Sequence, residues 1–169
     1  MFLKSLLLAL VFCLPPACLA ASGADARPAS SADFDRAMAP IHTRAELDDY
    51  RVRNRAADPF AALSPAALER VLSSLQFGPK GLASLKVDDL AAELSAAQSY
   101  RLLALFGLQT ALAGMPSLKV VSEDDRAVDT WRAGVTAPDM FILNAVCTGN
   151  SWLCMSVYGG ICWMPCPLQ

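Results

Sequence analysis

The chain has 169 residues, of which 54% are hydrophobic and 18% are charged, and its formal net charge is −2. This length is sufficient for one domain with a hydrophobic core and a small additional module. The mildly acidic balance and the lack of a basic cluster exclude nucleic acid as an expected partner, because phosphate binding requires a concentrated basic surface.

Residues 1–21 have the layout of a secretory signal peptide. A single Lys4 precedes the apolar run at 6–14, and small residues at Ala20 and Ala21 permit cleavage. The apolar run is too short for a membrane-spanning helix. We therefore predict export, either to a periplasm or to the medium.

Lipid anchoring at Cys18 is not expected. Pro15 and Pro16 occupy positions that usually hold a leucine and a small residue in lipoprotein signals. If the signal is removed, Cys13 and Cys18 are removed with it.

Residues 22–42 are rich in Ala, Ser, Asp and Pro, so we predict a flexible spacer, with a short helix at 33–38 within it. Residues 43–134 are predicted to form a helical domain. Its helices are marked by caps and first-turn acids at Thr43 to Glu46, Ser64-Pro65, Asp88, Ser95 to Gln98 and Ser122 to Asp125.

The helix that contains residues 102–106 is predicted to be central, because these five consecutive residues are apolar and leave no polar face. Gly107 is expected to end or bend it. Trp131 is expected on the inner side of the last helix, which Gly134 ends.

Residues 135–169 differ from the rest of the chain. From residue 140 onward there is no Asp, Glu, Lys, Arg or His. Gly159-Gly160 lies between two short apolar runs, which is typical of a hairpin turn. The predicted fold class is therefore mainly α: a small helical bundle with a C-terminal disulfide-stapled β-hairpin or loop module.

Four cysteines lie in this C-terminal module, and an exported chain can oxidise them. They are Cys147, Cys154, Cys162 and Cys166. Three connectivities are open, and we favour Cys147–Cys162 with Cys154–Cys166. Their spacing matches no zinc-binding pattern and no histidine lies near them, so no metal or cofactor is predicted.

The aromatic residues Trp152, Tyr158 and Trp163 are candidates for a contact surface. The partner is unknown, although a protein or a membrane surface would fit an uncharged module. Packing of the module on the helical domain is the favoured alternative, because large apolar residues usually belong to a core.

No catalytic residue is predicted. His42, the only histidine, precedes a helix cap, and the paired acids fall in the first turns of helices, where they complement the dipole. The sequence therefore favours a secreted or periplasmic non-enzymatic protein.

Two alternatives remain open. The first is a precursor whose C-terminal Cys-rich segment is released as a bacteriocin- or toxin-like peptide, which the absence of charge after Asp139 suggests. The second is a carboxylate-based enzyme that uses the acid clusters at 48–49, 88–89 and 123–125.

Overall fold

The computed structural model describes residues 31–115, 118–135, 141–147 and 154–163. The helices in these residues are α1 Ser31–Ala37, α2 Arg44–Arg53, α3 Pro65–Ser74, α4 Asp88–Glu93, α5 Ala96–Ala104 and α6 Glu123–Ala133. The strands are β1 Gln76–Gly78, β2 Gly81–Lys86, β3 Phe141–Cys147 and β4 Cys154–Trp163. Short 3-10 segments occur at Arg55–Ala57, Pro59–Ala62 and Gln109–Gly114. Among the described residues, no helix is long and apolar enough to cross a membrane.

The predicted helix starts are confirmed, because the capping side chains form the expected hydrogen bonds. Thr43 and Ser95 each form the expected capping box, with Glu46 and Gln98 as the reciprocal partners. Ser64 accepts a hydrogen bond from the amide of Ala67. In each case a polar side chain satisfies backbone N–H groups that have no partner inside the helix.

Residues 31–42, which the sequence assigns to the spacer, include α1 and pack against the rest of the domain. Ala32 and Ile41 are buried. The guanidinium of Arg36 donates to the carbonyl oxygen of Leu82 at 3.0 Å, which joins α1 to β2. This part of the chain therefore contributes directly to the core.

The predicted fold class is wrong, because a four-stranded antiparallel sheet accompanies the helices, in the order β1-β2-β4-β3. β1 and β2 form a tight hairpin around Pro79-Lys80, with Gly78 opposite Gly81. No strand was predicted there, because residues 43–134 were assigned to a helical domain. β1 and β2 are short and rich in Gly, Ala and Ser rather than in β-branched residues, so their strand propensity is weak.

The C-terminal hairpin, which consists of β3 and β4, is part of this sheet and not a separate module. β4 lies between β2 and β3, and its Ile161 pairs with Leu85 on one side and with Leu143 on the other. Both Ile161 and Leu85 belong to the main core. Strand pairing and apolar burial thus hold the hairpin to the helices.

Gly159 and Gly160 do not form the hairpin turn that was predicted. They lie inside β4, where residues 157–160 form a bulge opposite the single residue Asn144. Gly159 has a φ of +71°, and a Cβ at Gly160 would lie 2.6 Å from the carbonyl oxygen of Ala145. The glycines therefore permit close backbone approach within the sheet.

The bulge turns the outer half of the hairpin, residues 145–147 with 154–156, back over the sheet. The amide of Cys147 donates to Oγ of Ser84 at 3.3 Å. Ser84 is itself paired with Cys162. Ala83, Ala145, Cys147 and Cys162 form a small second buried cluster, separate from the main core.

The predicted stapling by a Cys147–Cys162 disulfide is also wrong. The two Sγ atoms are 3.4 Å apart, whereas a disulfide bond is about 2.05 Å long. The two side chains were brought together by the folded-back hairpin, and their contact is a packing contact. Cys166 and the side chain of Cys154 lie outside the described part of the chain.

The glycine at the end of α5 provides a test of the docking of α1. Gly107 has a φ of +66°, and a Cβ there would overlap the backbone of Asp35 and Arg36 in α1. We expect Gly107→Ala to lower the free energy of unfolding by about 3 kcal/mol, from backbone strain and steric overlap together.

Two further glycines serve as controls in the same urea titrations. Gly81 has the unfavourable φ of +99°, but a Cβ there would make only ordinary contacts. Gly81→Ala should therefore lower the free energy of unfolding by about 1 kcal/mol. Gly134→Ala has neither feature and should change stability by less than about 0.5 kcal/mol. Equal effects of Gly107→Ala and Gly81→Ala would contradict the packing of α1 against this turn.

Candidate functional site

The folded-back half of the C-terminal hairpin contains the chemistry that the sequence singled out. Cys147 and Cys162 are both buried and lie in van der Waals contact. Ser84 contributes the hydrogen-bond acceptor for the amide of Cys147, and small side chains at Ala83 and Ala145 leave the space for the two sulfurs. The site is thus a small buried cluster within the sheet, in which the two cysteine side chains lie beside Ala83 and Ala145.

The other predicted site residues are located only in part. Cys154 lies in β4 directly opposite Cys147 in the strand register. Tyr158 and Trp163 belong to β4, and only their backbone is described. Trp152 and Cys166 lie outside the described residues. The contact surface that was predicted on the three aromatic residues therefore stays a prediction.

Two acidic side chains of α4, Asp89 and Glu93, form structural contacts with α3 and its N-cap. Asp89 forms a bidentate ion pair with Arg70 of α3, at 2.6 Å for the shortest contact. Glu93 accepts from both the amide and the hydroxyl of Ser64, at 2.6 and 2.7 Å. These contacts join α4 to the start of α3.

Asp125 has the most extensively hydrogen-bonded carboxylate among the described residues. It accepts from the amide of Ala97 in α5 at 2.8 Å. It also accepts from the amides of Val121 and Ser122 and from the Ser122 hydroxyl, at 2.7 to 3.1 Å. One buried carboxylate therefore caps α6 and also the first turn of α5.

Hydrogen bonds and burial shift the pKa values of several of these side chains. The hydrogen bonds that Asp125 accepts outweigh the desolvation that opposes them, and they hold the pKa of its carboxyl far below its ordinary value. Hydrogen bonds from Ser64 lower the pKa of Glu93, and those from the backbone at His42 and Thr43 lower the pKa of Glu46. Burial lowers the pKa of Arg36 to about 10.

Each of these groups therefore favours its charged state in the folded protein, apart from Arg36, whose lowered pKa still leaves it charged at neutral pH. A general acid with a raised pKa is the usual mark of a carboxylate-based enzyme. Among the carboxyls for which a shift is resolved in the described residues, every shift is downward. The described residues also contain no group of three or more His, Cys, Asp or Glu side chains that could hold a metal ion.

His42 is placed by the backbone and not by a catalytic partner. Its Nε2 lies 2.8 Å from the carbonyl oxygen of Arg36, and its ring packs near Gly81. Its Nδ1 is 4.0 Å from Glu46. The ring thus connects the end of α1 to the turn between β1 and β2.

The position of Trp131 on α6 differs from the predicted one. Its side chain is 37% exposed, so it does not lie on the inner side of α6. Its ring packs edge-on against Tyr100 of α5, with the centroids 5.2 Å apart. Trp131 is therefore partly covered by α5 and partly exposed to solvent.

Sequence reasoning missed two features of the site: the role of Ser84 and the double cap by Asp125. Ser84 lies in the run GLASLK, whose small residues are a signal for close backbone approach, but nothing in that run identifies the strand it meets. Asp125 was recognised only as a first-turn acid. Its bond to Ala97 requires the packing of α5 on α6.

Comparison with known proteins adds no assignment: no protein-family model, no curated protein and no solved structure matches the chain significantly.

The double cap generates a prediction about stability. We expect Asp125→Ala to lower the free energy of unfolding by about 3 kcal/mol, because four buried or half-buried donors lose a charged acceptor. The adjacent Asp124 is the control. Its ion pair with Arg101 is exposed, so Asp124→Ala should lower the free energy of unfolding by less than about 0.5 kcal/mol. Denaturant titrations of the two variants test this, and equal losses would contradict the double cap.

The lowered pKa of Asp125 also predicts acid sensitivity. A carboxyl whose pKa is lower in the folded state contributes stability above its unfolded pKa of about 4, and that contribution is lost as the pH falls below this value. We expect Asp125→Asn to flatten the decline in unfolding free energy between about pH 5 and pH 2. Some slope should remain, since the pKa values of Glu46 and Glu93 are also lowered. An unchanged slope would show that Asp125 is not the main titrating group.

Proposed function

We propose that this chain is an exported, non-enzymatic binding protein whose C-terminal hairpin is built into the domain and contacts a partner along β3. The observation that carries the proposal is the position of β4. It pairs with β2 on one side and with β3 on the other, and its Ile161 is buried in the main core.

The same observation argues against release of the C-terminal segment as a peptide. Cleavage near Asp139 would remove β3 and β4, expose the edge of β2 and open the core at Ile161. Cleavage after Gly160 would cut a buried residue inside a paired strand. A carrier that survives the loss of its cargo would not be expected to bury the cargo in its own core.

The proposed contact lies at β3 because this is the outermost strand on its side of the sheet, within the described part of the chain. Its sequence, FILNAVC, has no charged residue and no proline. Natural edge strands are commonly protected by such residues against pairing with another chain. An uncharged, unprotected edge favours a partner that adds an extended segment by main-chain hydrogen bonds.

The opposite edge of the sheet is less suited to such a contact. β1 contains only three residues and ends at Gly78-Pro79. A proline next to so short a strand limits the main-chain hydrogen bonds it can offer to another chain. The two edges therefore differ, and only β3 has the length for strand addition.

The integration of the hairpin is tested at Ile161. We expect Ile161→Ala to lower the free energy of unfolding of the whole domain by about 3 kcal/mol, because a fully buried side chain is truncated in the main core. Val121→Ala, at a position 79% exposed, should change it by less than about 0.5 kcal/mol. Helical circular dichroism followed through urea unfolding is the measurement. If Ile161→Ala leaves that transition unchanged, the hairpin is an appendage.

Mass spectrometry of the exported protein tests the export and retention of the hairpin. The expected species begins close to residue 21 or 22 and still ends at Gln169. Recovery of a separate fragment that contains residues 147–166 would overturn the proposal and establish the precursor alternative. Recovery of the chain only inside the cell would overturn export.

The partner contact is tested by charging the outer strand. Asn144→Lys places a lysine in β3 and should reduce, by at least about tenfold, the partner recovered with the exported protein, since edge lysines oppose strand addition. Glu123→Lys, on the exposed start of α6, has the same substituted side chain and should leave recovery unchanged. Equal recovery with both variants would place the contact elsewhere.

A further inference from the structure

An open cleft lies along the C-terminal half of α2 and the turn that follows it. The described residues that line it are Asp48, Arg51, Val52, Arg55 and Asp58. The first four recur at spacings of three and four residues, so they share one face of α2 and of its 3-10 continuation. The cleft has a volume of about 340 Å³, which is at the lower end of the range for small-molecule sites.

Arg51 is held in place by contacts on two sides. Its Nε donates to Oδ2 of Asp58 at 3.1 Å, and its guanidinium lies over the ring of Phe60, 5.6 Å from the centroid. The Asp58 side chain is itself only 8% exposed, and its Oδ1 accepts from the amide of Phe60 at 3.1 Å. The two terminal nitrogens of Arg51 have no hydrogen-bond partner in the described part of the chain. Arg51 therefore offers pre-positioned donors to a molecule in the cleft.

Asp48 and Arg55 add one charge of each sign. Both side chains are exposed, and within the described ranges neither forms an ion pair or a side-chain hydrogen bond. The Arg51–Asp58 pair is neutral as a unit, so the charges left for a ligand are the guanidinium of Arg55 and the carboxylate of Asp48. Val52, which is 66% exposed, adds an apolar surface to the same face.

The two unpaired charges determine the class of ligand. A simple anion would be attracted by Arg55 and repelled by Asp48, and for a simple cation the two effects would be reversed. A small zwitterion suits both groups, because its carboxylate can accept from Arg51 and Arg55 while its ammonium donates to Asp48. An apolar side chain on the same molecule would cover Val52.

We propose that this cleft binds a free α-amino acid with an apolar side chain. The site lies on α2 and the turn after it, whereas the contact in the proposed function lies on β3. The inference therefore goes beyond the proposed function and does not rest on it. Loss of the β3 contact would leave amino-acid binding unchanged.

The ligand class is tested by titrating the isotope-labelled full chain with L-leucine near neutral pH and following the backbone amide signals of residues 48–58. Saturable shifts with a dissociation constant of about 1 mM are expected for so open a site. Isocaproate lacks the ammonium of leucine and isoamylamine lacks its carboxylate, so each should bind at least about fivefold more weakly. Equal binding of leucine and isocaproate, or shifts that do not saturate, would overturn the proposal.

A pair of arginine variants tests the carboxylate contact. Arg55→Ala should weaken leucine binding by at least about fivefold, because a charged donor is lost. Arg53→Ala is the matched control: Arg53 is also exposed near the end of α2, but it is not among the described residues that line the cleft. Equal weakening by the two variants would place the binding outside the cleft and overturn the proposal.

A second pair tests the ammonium contact. Asp48→Asn keeps the shape of the side chain and removes its charge, so it should weaken leucine binding by at least about fivefold and leave isocaproate binding no weaker. Asp49→Asn, at an exposed position beside it, should change neither. If Asp48→Asn leaves leucine binding unchanged, the assignment of a zwitterion is wrong. Asp48 and Arg55 form no side-chain contact in the described chain, so the urea midpoint of each variant should match that of the original protein.

Discussion

The pairing of β2 with β4 is the constraint on which the remaining structure depends. It brings Leu85 and Ile161 together across the sheet, although the 75 residues between them include α4, α5 and α6. Once this pair is buried in the main core, β4 has a fixed place and β3 becomes the outer strand. Closing so long a loop costs conformational entropy, and the apolar burial of the sheet and the helices must offset it.

The helices are connected to one another by polar groups at their ends rather than by long apolar interfaces alone. Asp125 joins the starts of α5 and α6, Glu93 joins α4 to the start of α3, and Arg36 joins α1 to β2. A buried carboxylate is stable only when donors surround it, and at Asp125 helix termini provide them. Short helices can therefore pack in a small domain without leaving their terminal amides unsatisfied.

The bulge in β4 links the fold to the proposed function. By inserting Gly159 and Gly160 opposite Asn144, it bends the hairpin so that Cys147 reaches Ser84 while Ile161 stays in the core. The inner half of the hairpin is fixed by the sheet, and the outer half has few partners of its own. A contact surface on such a hairpin would be held in place at its inner half by the pairing of β4 with β2 and β3.

The sequence by itself determined the local features: the helix starts at Thr43, Ser64 and Ser95, and the burial of the central helix α5. Caps and apolar periodicity act within a few residues, so they can be recognised without the fold. Only the tertiary structure decided the sheet, the place of Gly159-Gly160 and the second bond of Asp125 to Ala97. The residues of β2 have weak strand propensity, and the strand forms because β4, distant in sequence, supplies its hydrogen-bonding edge. Interactions between distant segments leave no local pattern, which is why the sequence predicted a bundle where the protein forms a mixed α and β domain.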